Sequence, residues 1–259
     1  MIYEEVFALL ARFAVPISQI SVYIFFGITA SVAWLTQFSR MDKLPEPVKT
    51  TIQIFFFGML VTVPVFLTEL GLSKFFGGLA LSPLLFALSY WFITIALVEE
   101  TFKYFVMRYK VLKDNVFDEP SDAMIYMIVV ALGFAGLENI LYMLPIGSKI
   151  FSFNELLISA ATVSFIRFLG ANLLHALCSG LVGFFMAISI CGKRRGLTLL
   201  GLVIAILLHG LYNFSIIQLD SPINLLIPIA ILLSLTVVIT LGFLKLKKMK
   251  SLRIILIIN

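Results

Sequence analysis

Seven ionisable side chains stand inside stretches of the sequence that are otherwise apolar. They are Glu99, Glu100, Lys103, Glu138, Arg167, His175 and His209. A charge at the centre of a membrane helix costs about 2.5–3.5 kcal/mol on insertion scales, so such residues need partner groups, water or a function. Carboxylates and imidazoles together resemble the parts of a hydrolase that activates water.

The first two carboxylates belong to the segment ALVEETFKYF. On a helix Glu99 and Lys103 are four residues apart and Glu100 and Lys103 are three apart, so each pair can interact. One lysine neutralises only part of this doubly acidic turn. The sequence therefore predicts a carboxylate that is available for other work, although a solvated helix end would produce the same pattern.

The third carboxylate, Glu138, lies beside Asn139 in GFAGLENILY, with apolar sequence on both sides. It is too far from the preceding charge, Asp122, to be a solvated helix end. A packing hydrogen bond between helices is the alternative, but Asn or Gln usually makes such bonds at a lower desolvation cost. We therefore predict a functional role for Glu138.

The only two histidines lie in the segments RFLGANLLHALCSG and AILLHGLYNF. Arg167 and His175 fall on a similar helix face with Asn172 beside them. Asn213 follows His209 by four residues and shares its face. A single intramembrane histidine is usually part of an interhelical hydrogen bond, but here both histidines of the chain have this setting.

Two kinds of hydrolytic site fit these residues. Glu138, His175 and His209 could hold Zn²⁺ with an open position for water, while another carboxylate acts as the general base. Alternatively, a glutamate base acts without metal, and His or Asn donors stabilise the oxyanion. The sequence has no HExxH motif and the candidate ligands come from separate segments, so spacing does not distinguish the two.

The composition indicates which elements must position these groups. Of the 259 residues 61% are hydrophobic and 13% are charged, whereas soluble domains carry about 25% charged residues. The apolar runs are continuous, which excludes a transmembrane β-barrel and requires helices. We predict an all-α polytopic helix bundle in the lipid bilayer, with residues 1–259 as one integral-membrane domain and no nucleic-acid partner. Two cysteines cannot build a disulfide framework.

Breaks in the hydropathy divide the chain into about seven spans. They are residues 6–37, 50–69, 79–107, 123–145, 155–190, 197–217 and 222–244. The first and fifth are long enough to need tilt or a kink, at Pro16 or Gly170. The candidate residues fall in a motif-bearing core of about residues 79–217.

The depth of four polar residues suggests a common site. At about 1.5 Å of rise per residue they lie about 14–24 Å inside a hydrocarbon core of about 30 Å. These four are Glu99, Glu138, His175 and His209, each from a different span. Separate packing contacts have no reason to share one depth, so we predict that these side chains meet around one buried pocket of water.

Basic residues alternate between the two ends of the predicted spans. Fifteen of the 19 fall on one side: Arg40, Lys43, Lys49, Lys103, Arg108, Lys110, Lys113, Lys193, Arg194, Arg195, Lys245, Lys247, Lys248, Lys250 and Arg253. The other side receives Arg12, Lys74 and Lys149. The positive-inside rule then predicts an outside N-terminus and a basic cytoplasmic tail over residues 245–259.

The motifs resemble those of the PrsW-type intramembrane proteases. EETFK matches their EExxK motif, GFAGLEN is similar to FxxxEN, HALCSG falls at the first histidine motif, and HGLYN resembles the HxxxN/D motif. The four occur in the family's order over roughly residues 90–215. A more distant resemblance is to the CAAX prenyl endopeptidases and bacteriocin-processing membrane proteases, from which Lys103 and Glu138 depart.

The resemblance implies proteolysis within or near the membrane, in a bacterial or archaeal cell membrane. It implies the catalytic set Glu99, Glu100, Glu138, His175 and His209, with zinc as a candidate cofactor and a membrane-anchored protein or peptide as substrate. We assign the supporting roles to Lys103, which holds one carboxylate, to Asn139 and Asn213, which orient groups or stabilise the oxyanion, and to Arg167 and Asn172. Either Glu99 or Glu100 could be the base.

Another class of function uses the same residue types. Glu, His and Lys relays are common in proton- or cation-coupled transporters, and the fold could also serve a noncatalytic membrane binding protein. A transporter should show repeat symmetry and interrupted helices in corresponding halves. We find no convincing internal repeat in the sequence.

Overall fold

Helices account for all the regular structure in the part of the chain described by the computed structural model, which comprises residues 17–41, 46–112, 117–144, 152–194 and 196–249. Seven of these helices are long and apolar enough to cross a membrane. They are α1 (Ile17–Ser39), α2 (Val48–Gly77), α3 (Pro83–Lys110), α4 (Asp122–Met143), α5 (Phe153–Cys191), α6 (Gly196–Gln218) and α7 (Ile223–Leu246). The predicted all-α fold and the number of spans are confirmed.

The helix boundaries mostly follow the predicted spans. The main difference is α2, which continues to Gly77 and so carries Glu69 well inside a helix. Several residues used in the charge and kink arguments lie outside the described residues: Arg12, Pro16, Lys43, Lys113, Lys149, Arg195, Lys250 and Arg253.

Helix α4 lies at the centre of the bundle, packed against α1, α2 and α5. Every residue over 122–136 is buried. Small residues allow the neighbouring backbones to approach closely: a Cβ on Gly58 of α2 would lie 2.2 Å from the Val130 carbonyl oxygen, and one on Gly183 of α5 would lie 2.4 Å from that of Ala123. The central helix therefore presents its side chains to other helices and hardly to lipid.

Two of the long helices contain π-helical segments next to the candidate residues. Ser89–Leu97 is π-helical in α3 and ends just before Glu99, and Phe168–Asn172 is π-helical in α5 and ends three residues before His175. Such segments are rare and occur frequently at functional sites. The second includes Gly170, where the sequence predicted a kink. The indole Nε1 of Trp34, on α1, donates a hydrogen bond of 2.7 Å to the backbone carbonyl of Phe168 in this second segment.

The outer surface of the bundle is apolar, as lipid requires. Large hydrophobic side chains such as Phe25, Leu67 and Leu233 are more than half exposed. Since successive helices run in opposite directions, the C-terminal ends of α1, α3, α5 and α7 lie at one end of the bundle. We call this the basic end, because Arg40, Arg108, Lys110, Lys193, Arg194, Lys245, Lys247 and Lys248 are found there.

Candidate active site

Lys103 lies at the centre of the polar cluster, with its side chain fully buried. Its Nζ contacts Glu99 Oε2 at 3.1 Å, Glu100 Oε1 at 2.9 Å and His175 Nδ1 at 2.9 Å. An ammonium has three protons and can only donate, so all three are used. His175 Nδ1 must then accept, which places the imidazole proton on Nε2.

That proton on His175 points to Glu138. The distance from His175 Nε2 to Glu138 Oε2 is 2.9 Å, and Arg167 Nη2 donates to the same carboxylate oxygen at 2.7 Å. The Arg167 guanidinium also lies over the Tyr142 ring, 4.2 Å from its centroid. Glu138 is therefore a paired carboxylate that orients His175.

His209 contacts the other side of the acidic pair. Its Nδ1 lies 3.0 Å from Glu100 Oε1, which also receives Lys103, and Ser179 Oγ donates to Glu100 Oε2 at 3.3 Å. Because a carboxylate accepts, His209 Nδ1 donates, and in a neutral imidazole Nε2 would then keep a lone pair. This Nε2 lies 4.0 Å from Glu99 Oε2.

A second polar network contacts Arg167, the partner of Glu138. Arg167 Nε donates to Asn139 Oδ1, while Asn139 Nδ2 donates to Asn172 Oδ1 at 2.9 Å and to the Gly27 carbonyl at 3.1 Å. Asn172 in turn donates to Ser31 Oγ at 2.9 Å. Both donors of the Asn139 amide are therefore engaged within this network.

The group able to share one metal ion differs from the set that the sequence suggested. One donor atom from each of Glu99, Glu100, His175 and His209 lies within 4.8 Å of every other, and all four residues are buried. Two carboxylates and two imidazoles are ligands that zinc accepts. Of the three zinc ligands that the sequence suggested, His175 and His209 belong to this group, whereas Glu138 does not.

A cavity of about 440 Å³ lies beside this cluster, a size typical of ligand sites. Its polar wall is formed by Glu69, Tyr90, Glu99, Glu138, Arg167, His175, His209 and Asn213, and its apolar wall includes Phe66, Trp91, Phe134 and Leu174. Glu99 reaches the cavity, while Glu100 is absent from its lining. The two adjacent glutamates thus occupy different positions.

The structure brings together the side chains that the sequence singled out. Direct contacts link Glu99, Glu100, Lys103, Glu138, Asn139, Arg167, Asn172, His175 and His209, and Asn213 lines the same cavity. The prediction that groups from separate spans meet in one buried place is confirmed. Their catalytic roles stay a prediction.

Sequence reasoning missed several polar residues of the site, among them Glu69, Ser31 and Ser179. Glu69 escaped notice because the predicted second span ended on it, so that it looked like a helix end. Ser31 and Ser179 are too common in apolar helices to stand out. Only the excess of acidic residues in the apolar stretches could have directed attention to Glu69.

The sequence matches an established family over most of its length. Residues 46–243 match the family described as PrsW family intramembrane metalloprotease. The protein named Protease PrsW from Oceanobacillus iheyensis is 30% identical over 210 residues, which cover 80% of this chain and 88% of that protein.

Two further relatives carry the same name. Protease PrsW from Geobacillus kaustophilus is 32% identical over 73% of this chain and 76% of that protein, and the one from Bacillus subtilis is 31% identical over 80% and 88%. No solved structure matches the chain. Taken with the buried Glu/His cluster, these similarities favour a membrane peptidase over a transporter, and the chain belongs to the PrsW family of intramembrane metalloproteases.

Proposed function

We propose that the protein hydrolyses a peptide bond of a membrane-anchored protein or peptide in the cell membrane of a bacterium, with Glu99 as the general base. The main support for this proposal is the position of Glu99, which lines the cavity while Lys103 donates a hydrogen bond to its carboxylate. A substrate segment in the cavity would lie beside a base, two imidazoles and the side chain of Asn213.

The reaction follows from these positions. Glu99 takes a proton from a water molecule as the water oxygen bonds to the peptide carbonyl carbon. Asn213 is a candidate amide donor to the oxygen that becomes negative in this step. When the C–N bond breaks, protonated Glu99 returns its proton to the leaving nitrogen.

The remaining charged groups keep Glu99 in place. Lys103 fixes the carboxylates of Glu99 and Glu100 relative to each other. Glu138, held by Arg167, orients the ring of His175. A carboxylate behind a histidine is the usual arrangement around a metal-binding imidazole.

A metal ion would be held by Glu99, Glu100, His175 and His209, so Glu99 would be a ligand in the metal-bound protein and the general base in the metal-free reaction. When bound, zinc supplies a Lewis acid that lowers the pKa of bound water and polarises the peptide carbonyl. We propose this set in place of Glu138, His175 and His209, because one donor atom from each of its four residues lies within 4.8 Å of every other and Glu138 is not part of this group. The Lys103 ammonium contacts three of the four groups, so it competes with a metal cation for them.

Cleavage of a membrane-anchored reporter peptide by the purified protein in detergent tests the proposal. We expect Glu99→Gln and His209→Ala to abolish turnover while the protein still inserts and purifies. The matched control is Glu155→Gln, since Glu155 is exposed at the start of α5 and a glutamine can keep its capping interaction. Full turnover in Glu99→Gln would exclude this residue as the base.

The metal content of the same preparations tests the ligand set. We expect about one zinc per chain in the wild type, less after His175→Ala, and an unchanged content in Glu155→Gln. An active preparation without metal would support the glutamate mechanism alone.

A further inference from the structure

Glu69 is the cavity carboxylate that the hydrolytic mechanism does not use. It lies on α2, and its Oε1 is buried without a hydrogen-bond partner in the described structure. The other two carboxylates of the cavity wall are paired, Glu99 with Lys103 and Glu138 with Arg167. Glu69 is near enough to both to interact with them electrostatically.

This arrangement leaves one side of the cavity with an acidic group that has no cationic partner in the described structure. A buried carboxylate without a partner is costly, and a third one beside two others adds repulsion. Both cations in contact with the paired carboxylates, Lys103 and Arg167, are committed elsewhere. A positively charged group that enters with a ligand would supply the partner that Glu69 lacks.

Aromatic residues near Glu69 in the cavity suit the side chain of a lysine or an arginine. Phe66, Tyr90 and Trp91 line the cavity with it, and Tyr90 lies within electrostatic reach of its carboxylate. Aromatic faces attract ammonium and guanidinium groups, and they pack against the aliphatic stems of lysine and arginine. The π-helical segment Ser89–Leu97 carries both Tyr90 and Trp91.

We propose that Glu69, with Tyr90 and Trp91, forms a substrate subsite that binds a lysine or arginine side chain close to the scissile peptide bond. The inference rests on the proposed peptidase function, because the subsite shares its cavity with Glu99. Glu69 is a specificity-determining residue here and takes no part in bond breaking. A basic residue in an otherwise apolar membrane segment would mark the segment for cleavage.

Two matched series of peptides test the subsite. Each peptide has the same apolar membrane segment with one lysine placed in turn along it, and the second series has norleucine at the same position. For the wild type in detergent we expect one lysine position to give a kcat/KM at least about 30-fold above its norleucine counterpart, a ratio typical of a buried charge pair.

The variant Glu69→Gln should remove this preference, chiefly through KM, and leave norleucine peptides almost unaffected. Glu69→Lys should turn the preference toward a glutamate at the same position. Glu155→Gln should behave as the wild type. Equal rates for lysine and norleucine in the wild type, a preference that survives Glu69→Gln, or an equal loss on both series would each overturn the proposal.

A binding measurement separates this inference from the proposed chemistry. In the Glu99→Gln background a fluorescent lysine peptide should still bind, and adding Glu69→Gln should weaken its Kd at least about 10-fold. If the wild type cleaved no peptide but this difference in Kd remained, the peptidase proposal would fail and the cationic subsite would stand. Equal Kd values in both backgrounds would refute the subsite, whatever the rates.

Discussion

Adjacent residues of identical chemistry have different surroundings at this site. Glu99 reaches the cavity, whereas Glu100 is fully buried and accepts from Lys103, Ser179 and His209. The sequence left open which of the two is the base, because spacing along a helix does not reveal which side faces a cavity. Their surroundings support Glu99 for that role and Glu100 as the residue that organises its neighbours.

Removal of the central cation gives a prediction at the scale of residues. Lys103→Met keeps an unbranched side chain that is one atom shorter, but it leaves two buried carboxylates without their shared partner. Breaking a buried ion pair in this way costs about 3–5 kcal/mol. We expect a markedly lower thermal midpoint for the metal-free variant in detergent.

The same variant reports on competition with metal. Bound zinc would replace the positive charge that the Lys103→Met variant lacks. Added zinc should therefore raise the thermal midpoint of this variant more than that of the wild type. Unchanged stability of the metal-free variant would show that the three contacts of the ammonium contribute little. Lys110→Met, at the exposed end of the same helix, is the control.

The sequence could identify most residues of the site but not their partners. Charges in apolar stretches are conspicuous, which is why Glu138, Arg167 and both histidines were found. Their pairing depends on how helices rotate against each other, and a single sequence does not encode this visibly. Glu69 was missed for a related reason, since its importance depends on α2 continuing to Gly77.

At the scale of elements, hydropathy predicts the helices well because a membrane span has to be apolar over its whole length. It does not predict the π-helical segments Ser89–Leu97 and Phe168–Asn172. Both segments are apolar, as any membrane span is, and the hydrogen bond from Trp34 to the Phe168 carbonyl is a tertiary contact that hydropathy does not reveal. Gly170 was the only visible signal.

Two glycines of α2 give a matched prediction for helix packing. A methyl group on Gly58 would overlap the backbone of α4, whereas one on Gly71 meets nothing within 4 Å. We expect Gly58→Ala to destabilise the protein by about 1–3 kcal/mol, and Gly71→Ala to leave it unchanged or up to about 1 kcal/mol more stable. Unfolding in mixed detergent micelles measures both, and equal effects would contradict the close packing of α2 on α4.

At the scale of the whole molecule, the distribution of basic residues predicts the orientation in the membrane. The basic end should face the cytoplasm. Single cysteines at Ala80, between α2 and α3, and at Arg194, between α5 and α6, lie exposed at opposite ends of the bundle. The background for both is Cys191→Ser, because Cys178 is buried and Cys191 is partly accessible.

In intact cells an impermeant maleimide should label Ala80→Cys, while Arg194→Cys should react only after the membrane is permeabilised. The reverse labelling pattern would show that the basic end faces the outside of the cell. Labelling of both positions in intact cells would show leaky cells, which a cytosolic marker protein detects.

The enclosure of α4 has a consequence for how the protein responds to its surroundings. The residues over 122–136 are sheathed by other helices, and Glu138 and Asn139 follow one turn later on the same rod. A change in acyl-chain length or headgroup would act directly on the outer helices, and it would affect α4 only through its contacts with them. Glu138 and Asn139 are thus shielded from direct contact with lipid, whereas Glu99 on α3 and His209 on α6 stand on helices that face it, so an effect of bilayer thickness on turnover should arise at these two helices.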